Sequence, residues 1–204
     1  MAPVREDKEL MSMRARGLMP IAVLAVTAAT VATASAQGPA PARETVTAIV
    51  NGKKLAVDYG RPALRGRTVK AMLEKLPANR VWRAGVNEAT TLTTEGDVLI
   101  GGKKVPAGKY TLYLYAPESG SYELLVNSDL GVPTGSGRMW PHIEDYPSVA
   151  DKEVARVPLK SVTPPEAMDR FLIGLGPAKA VGASTITLTW GDQSWTADIT
   201  PPGK

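Results

Sequence analysis

Val46-Thr47-Ala48-Ile49-Val50-Asn51-Gly52-Lys53-Lys54-Leu55-Ala56-Val57 is a pair of alternating runs joined by Asn51-Gly52. A two-residue hairpin turn needs positive φ at its centre, which Asn-Gly accepts at low cost. The register this turn imposes pairs Val50 with Lys53, Ala48 with Leu55 and Val46 with Val57. The apolar side chains then share one face. Gly101-Gly102 repeats the device and pairs Val98 with Val105. Gly191-Asp192 does so again, setting Leu188 opposite Trp195 and Ile186 opposite Ala197. Turn chemistry and side-chain alternation agree at all three places, so antiparallel sheet is the expected framework.

Further strands follow from the same alternation. Tyr110, Leu112 and Leu114 alternate with Thr111, Tyr113 and Tyr115, and Tyr122, Leu124 and Val126 form a facing set after the turn at 118–121. Ala89 to Thr94 is threonine-rich and suits a pleated, half-exposed surface, and Met168 to Leu175 reads as another strand. Helical spacing occurs at Val69, Met72, Leu73 and Leu76, with Thr68 as N-cap and Pro77 as the stop. Ser128 to Ala150 has glycines, prolines, Trp140 and His142 but no period, and its length marks it as a segment that covers or lines something. The expected fold is all-β, an antiparallel β-sandwich or jelly-roll-like domain with one short helix near residues 69–76.

Outward from the strands, the N-terminus has its own logic. Arg14 and Arg16 precede an apolar run from Leu18 to Val31, then Ala34-Ser35-Ala36 and Gln37. A basic stretch, an apolar stretch and an A-x-A site in that order predict a secretory signal peptide over residues 1–36, cleaved after Ala36. The run is too short and too rich in alanine and threonine for a comfortable membrane span. Residues 37–43 read as a flexible, proline-rich lead-in, and 44–204 as a single β domain. With no cysteine in the chain, disulfides, thiolate metal sites and a lipoprotein anchor are all closed, so the expected product is periplasmic or extracellular. A domain of roughly 170 residues buries enough surface to need no staple. The net charge of +4 is scattered, with no basic arm for nucleic acid.

One set of runs is distinctive. It comprises Val57-Asp58-Tyr59-Gly60-Arg61-Pro62, then Gly66-Arg67, then Val81-Trp82-Arg83-Ala84-Gly85-Val86-Asn87-Glu88-Ala89-Thr90-Thr91. Val105-Pro106-Ala107-Gly108-Lys109-Tyr110-Thr111-Leu112-Tyr113 and Ala155-Arg156-Val157-Pro158-Leu159 continue it. Together they resemble the secreted bacterial family known as domain of unknown function 2911. The likeness runs from about Glu44 to the C-terminus and is loosest across Ser128 to Asp151. It implies an exported, mostly β domain of unassigned activity, and it supplies no catalytic residue.

The residues themselves offer one polar constellation: Arg61, Arg83, Asn87 and Glu88, with Tyr59, Trp82, Thr90 and Thr91 around them. Arginine at a strand end presents a planar fork to a carboxylate, phosphate or sulfate, and Trp82 can stack on a sugar. Glu88 can serve as an acid or base if buried. The plainer reading is that Glu88 pairs with Arg83 or Arg61 and Asn87 caps a turn, bracing the strands. His142, in Trp140-Pro141-His142-Ile143-Glu144-Asp145, reads as a solvated loop histidine. A single histidine excludes three-histidine metal sites, and no G-x-S-x-G elbow accompanies it, so neither a metal nor another cofactor is expected. Of the aromatics, Tyr110, Tyr122 and Trp195 read as core, while Tyr113 and Tyr115 read as surface candidates for a carbohydrate platform.

These readings support a non-catalytic binding or envelope-associated module for a small anionic or carbohydrate ligand. A hydrolase or lyase on an envelope saccharide or peptide, with Glu88 as acid/base, is the alternative. A purely structural interaction module is the third.

Overall fold

The computed structural model describes residues 43–135 and 137–203. The expected signal peptide lies outside the described residues. In chain order the elements are β1 (Arg43–Val50), β2 (Lys53–Gly60), α1 (Val69–Leu73), β3 (Val81–Trp82), β4 (Thr90–Thr94), β5 (Val98–Ile100), β6 (Lys103–Val105), β7 (Gly108–Tyr115) and β8 (Glu123–Asn127). They continue with β9 (Val132–Pro133), β10 (Met139–Trp140), a 3-10 helix (Tyr146–Lys152), β11 (Glu153–Pro158), β12 (Lys160–Val162), β13 (Met168–Pro177), β14 (Ser184–Gly191) and β15 (Gln193–Thr200).

Two antiparallel sheets face each other. The first runs β1-β2-β4-β7-β8-β11, with β3 on β7; the second runs β13-β14-β15-β5-β6, with β12 on β15. The three turn-defined registers are observed as the sequence requires: Val46 opposite Val57, Val98 opposite Val105, and Leu188 opposite Trp195. One buried cluster joins the two inner faces, including Leu55, Leu92, Leu112 and Leu124 from the first sheet and Ile173, Leu188, Trp195 and Ile199 from the second. The fold is the expected all-β sandwich.

The helix is shorter than its apolar spacing suggests. Thr68 caps it, accepting from the Ala71 N–H at 3.1 Å, but the helix stops at Leu73. Pro77 explains the early end, since its ring disfavours helical backbone at Leu76.

The two sheets are laced together at one seam. β13 is an edge strand of the second sheet, and its outward groups meet the end of β2 and the segment beyond it. Phe171 N–H donates to Pro62 O at 2.8 Å, and Leu64 N–H donates to Asp169 O at 2.8 Å. Side chains continue the lacing: Arg61 Nε donates to Phe171 O at 3.1 Å, and the Tyr59 hydroxyl donates to Ile173 O at 3.2 Å.

The middle of the first sheet is buried on both faces, against the expectation that Tyr113 is a surface residue. Tyr113 is fully buried in a second cluster with Val81, Leu125, Tyr146 and Val149. The 3-10 helix from the long excursion supplies the last two. Asn127 Nδ2 donates to Val149 O at 2.8 Å, and Asn79 Nδ2 donates to Ile143 O at 2.6 Å, which hold the excursion down. The segment therefore covers the outer face of β7 and β8.

Candidate functional site

The connection from β3 to β4 is shaped by close approaches. Ala84 and Asn87 adopt left-handed backbone, at φ 47° and 63°. Thr90 Oγ1 donates to Ala84 O at 2.9 Å and closes the loop from inside. A Cβ on Gly85 would lie 2.7 Å from Thr90 Oγ1 and 3.1 Å from Gly60 O; one on Gly60 would lie 2.2 Å from Val86 O. Neither position admits a side chain. The loop thus seats directly on the end of β2, and Ala89 N–H donates to Met139 O at 2.8 Å to tie it to the excursion.

This seating distributes the polar candidates among three separate places. Tyr59 and Arg61 belong to the seam. Tyr59 is fully buried, its phenol pushed up to about 12 by burial, and Arg61 Nη1 pairs with Glu44 Oε2 at 2.9 Å. Trp82 does not present a stacking face to solvent: its ring lies parallel to Trp190 at 4.9 Å and edge-on to Phe171 at 4.8 Å. Arg83 Nη1 donates to Asn87 O at 2.9 Å, while its guanidinium lies over the Trp140 ring at 4.8 Å. Burial holds the Arg83 guanidinium below its ordinary value. Asn87 is exposed and is used through its backbone oxygen, not as a side-chain cap.

Glu88 pairs with neither Arg83 nor Arg61. Its partner is Arg43, whose Nη1 lies 3.5 Å from Glu88 Oε2. Arg43 also donates from Nε to Asp58 Oδ1 at 2.8 Å, and its Nη2 reaches the Asp58 carboxylate and Ala89 O. The physical reason is direction. Residues alternate faces along β1 and β2, so Glu44, Tyr59 and Arg61 turn to the seam, while Arg43 and Asp58 turn to the outer face.

On that outer face, Glu88, Arg43 and Asp58 border a cavity of about 170 Å³. Thr91, Lys109 and Arg138 complete the parts that carry chemistry. Three cations thus face two carboxylates. Arg43 takes both carboxylates, whereas Lys109 and Arg138 are exposed and pair with no described carboxylate. Asp58 and Thr91 stand in one row across the sheet, continued by Thr111 and Asn127. Thr111 Oγ1 is buried, and no described residue bonds it.

His142 is not a solvated loop residue. Its side chain is 19% exposed, with Nδ1 2.9 Å from Asp145 Oδ2 and Nε2 3.5 Å from Asp129 Oδ1. Its backbone N–H donates to the Tyr113 hydroxyl at 3.2 Å, which draws the ring down with the excursion. Lys152 Nζ donates to Asp129 Oδ2 at 2.7 Å and holds that carboxyl below the usual range. Among the described residues no group of three or more histidine, aspartate or glutamate side chains is placed to hold a metal ion.

The family model described as protein of unknown function (DUF2911) matches residues 41–199. The chain belongs to the DUF2911 family. No curated protein and no solved structure matches it. The run by which the sequence resembles DUF2911, Trp82 to Thr91, now has a physical account at most positions. Trp82 fills the core, Gly85 and Thr90 close the loop, and Ala89 ties it to Met139. Glu88 and Thr91 are the polar members that line the cavity.

Arg43, Lys109 and Arg138 were not among the sequence candidates. A signal for Arg43 existed: extending the Asn51-Gly52 register to the end of β1 sets Arg43 opposite Gly60, diagonal to Asp58. Arg138 carried no such signal, because its approach depends on the fold of the excursion; Lys109 comes beside Thr91 through the pairing of β4 with β7, two strands that no tight turn joins in the sequence.

Proposed function

We propose that this DUF2911 chain is an exported, non-catalytic binding domain that holds a small anion on the outer face of its first sheet. The anion class is a carboxylate, phosphate or sulfate group. The observation that carries the reading is the cavity beside Glu88, where Lys109 and Arg138 pair with no described carboxylate. Its size agrees: about 170 Å³ is below the range of roughly 300–1,000 Å³ that holds drug-sized ligands, but it admits a few atoms and their hydration. Arg43 is saturated by Asp58, Glu88 and backbone oxygens, so it fixes the floor of the cavity and leaves recognition to the other two cations. The succession of basic residues, apolar run and A-x-A site in the sequence before Gln37 supports export.

The test is a melting-temperature comparison in phosphate, sulfate and acetate, at constant ionic strength, between the wild type and a Lys109→Ala/Arg138→Ala variant. Phosphate and sulfate stabilise folded proteins by exclusion from their surfaces, so only the difference between the two proteins counts. A larger rise in the wild type supports the reading, because a ligand bound only by the native state raises its stability. Equal rises in both sink it.

The catalytic alternative draws on the same cavity, since Glu88 lines it with a quarter of its side chain exposed. Turnover of an envelope saccharide or peptide that Glu88→Gln abolishes, with melting temperature retained, would favour it.

A further inference from the structure

We infer that the groove between α1 and the β7–β8 connection is a second binding site, and that it takes a neutral oligosaccharide. It does not depend on the anion cavity, with which it shares no residue. Two adjoining cavities, of about 520 and 570 Å³, share Glu74, Arg80, Pro117 and Glu118. Each falls within the roughly 300–1,000 Å³ of small-molecule sites, and together they form one elongated groove.

Each cavity contains one tyrosine, Tyr122 in the first and Tyr115 in the second. Sugar rings present apolar C–H faces that stack on aromatic rings, with hydroxyls around the edge that need donors and acceptors in the same plane. The groove offers both. Tyr122 is half-buried and backed by Trp195, ring centres 4.8 Å apart, so its orientation is set before any ligand arrives. Tyr115 is held from one side by the Arg156 guanidinium, 5.2 Å from its ring centre.

Arg80 stands where the two cavities meet. Its backbone is left-handed, at φ 58°, which is strained for a bulky residue. It is clamped to the end of β7 from two directions: Ala116 N–H donates to Arg80 O at 2.9 Å, and Arg80 Nε donates to Ala116 O at 3.0 Å. No described residue accepts from its two terminal nitrogens. The guanidinium is therefore fixed in position with its outer donors unspent, as a fork for vicinal hydroxyls requires.

Charge selects the ligand class. Lys70 and Arg80 are balanced by Glu74 and Glu118, two against two, so the groove has no net attraction for an anion. Glu118 is exposed and makes no ion pair with a described residue, and Gln193 adds an amide. Burial pushes the Tyr122 phenol up from its ordinary value, so it remains a protonated donor.

The experiment is calorimetric titration of the purified protein with cellobiose, maltotriose and N,N′-diacetylchitobiose, repeated on variants. At least one saccharide is expected to bind. Tyr122→Ala and the Glu118→Ala/Gln193→Ala pair are each expected to weaken it by about ten-fold or more. The second variant alters exposed side chains without structural partners across the groove, so it reads the site even if Tyr122→Ala unfolds. Lys109→Ala/Arg138→Ala is expected to leave saccharide affinity unchanged, which separates this site from the anion cavity. No binding by any of the three sugars at millimolar concentration overturns the inference. So does binding that Glu118→Ala/Gln193→Ala leaves intact.

Discussion

The indole of Trp82 lies flat on the indole of Trp190, at 4.9 Å between ring centres and 6° between planes. Trp82 comes from the first sheet and Trp190 from the second, so this pair joins the sheets at the point where the β3–β4 loop begins. Trp82→Ala removes the stack and the contact with Phe171 and leaves a cavity between sheets. The expected loss is about 3 kcal/mol, at the lower end for a truncated core tryptophan because Trp82 is only half-buried. Chemical denaturation measures it. A loss under about 1 kcal/mol would show that the loop repacks and that the stack is not what joins the sheets.

Tyr59→Phe deletes one hydroxyl that donates to Ile173 O and lies 3.3 Å from Glu44 Oε2. The ring and its edge contact with Phe171 remain. The expected cost is about 1 kcal/mol, and Arg61→Ala, which leaves Phe171 O without its side-chain donor, is expected to cost about 2 kcal/mol. Neither variant should alter phosphate or saccharide binding. A selective loss of binding at unchanged stability would return these two residues to the ligand site.

Thr111 presents the opposite sign. Its hydroxyl oxygen is buried, and no described residue bonds it. Thr111→Val keeps the shape and the β-branched fit while removing the stranded polar atom, so it is expected to stabilise the domain by about 1 kcal/mol. Thermal denaturation checks this. A destabilisation would mean that the hydroxyl has a partner, such as a water bridging to the Asn127 row.

Acid should loosen the excursion before it unfolds the sandwich. The hydrogen bond from Lys152 holds the Asp129 carboxyl below its ordinary value of 3.8. Folded protein therefore binds this proton less readily than unfolded protein does. The stabilisation is complete above the unfolded value and is lost as pH falls through the folded one. Asp145, lowered by its hydrogen bond from His142, acts in the same direction. Hydrogen exchange across residues 128–152 is expected to accelerate below about pH 4 relative to the β-strands. In Asp129→Asn that acid-specific step should shrink. An identical step in the variant would remove Asp129 from the account.

The hairpins were legible because two independent signals, turn chemistry and alternation, had to agree at Asn51-Gly52, Gly101-Gly102 and Gly191-Asp192. The short helix was legible for its spacing, and its early end at Leu73 follows from Pro77. Tyr113 was misread because alternation assigns one face of a strand to solvent. That assumption fails when a distant, aperiodic segment lies across the sheet and supplies Tyr146 and Val149. The candidate residues do not come together as one group: Tyr59 and Arg61 face the seam, Trp82 the core, and Glu88 the cavity. Glu88 met Arg43 instead of Arg83 because strand direction, not sequence proximity, decides which side of the sheet a side chain takes.

The seam formed by Arg61 and Tyr59 has a consequence between molecules as well as within one. Carbonyl groups on an edge strand are a template on which another copy can lay its own strand. The outward oxygens of Phe171 and Ile173 are already taken by a guanidinium and a phenol from the same chain. A second copy arriving at this edge would have to displace both before it could add a strand. At this edge, therefore, two side chains serve as guards against strand exchange and aggregation.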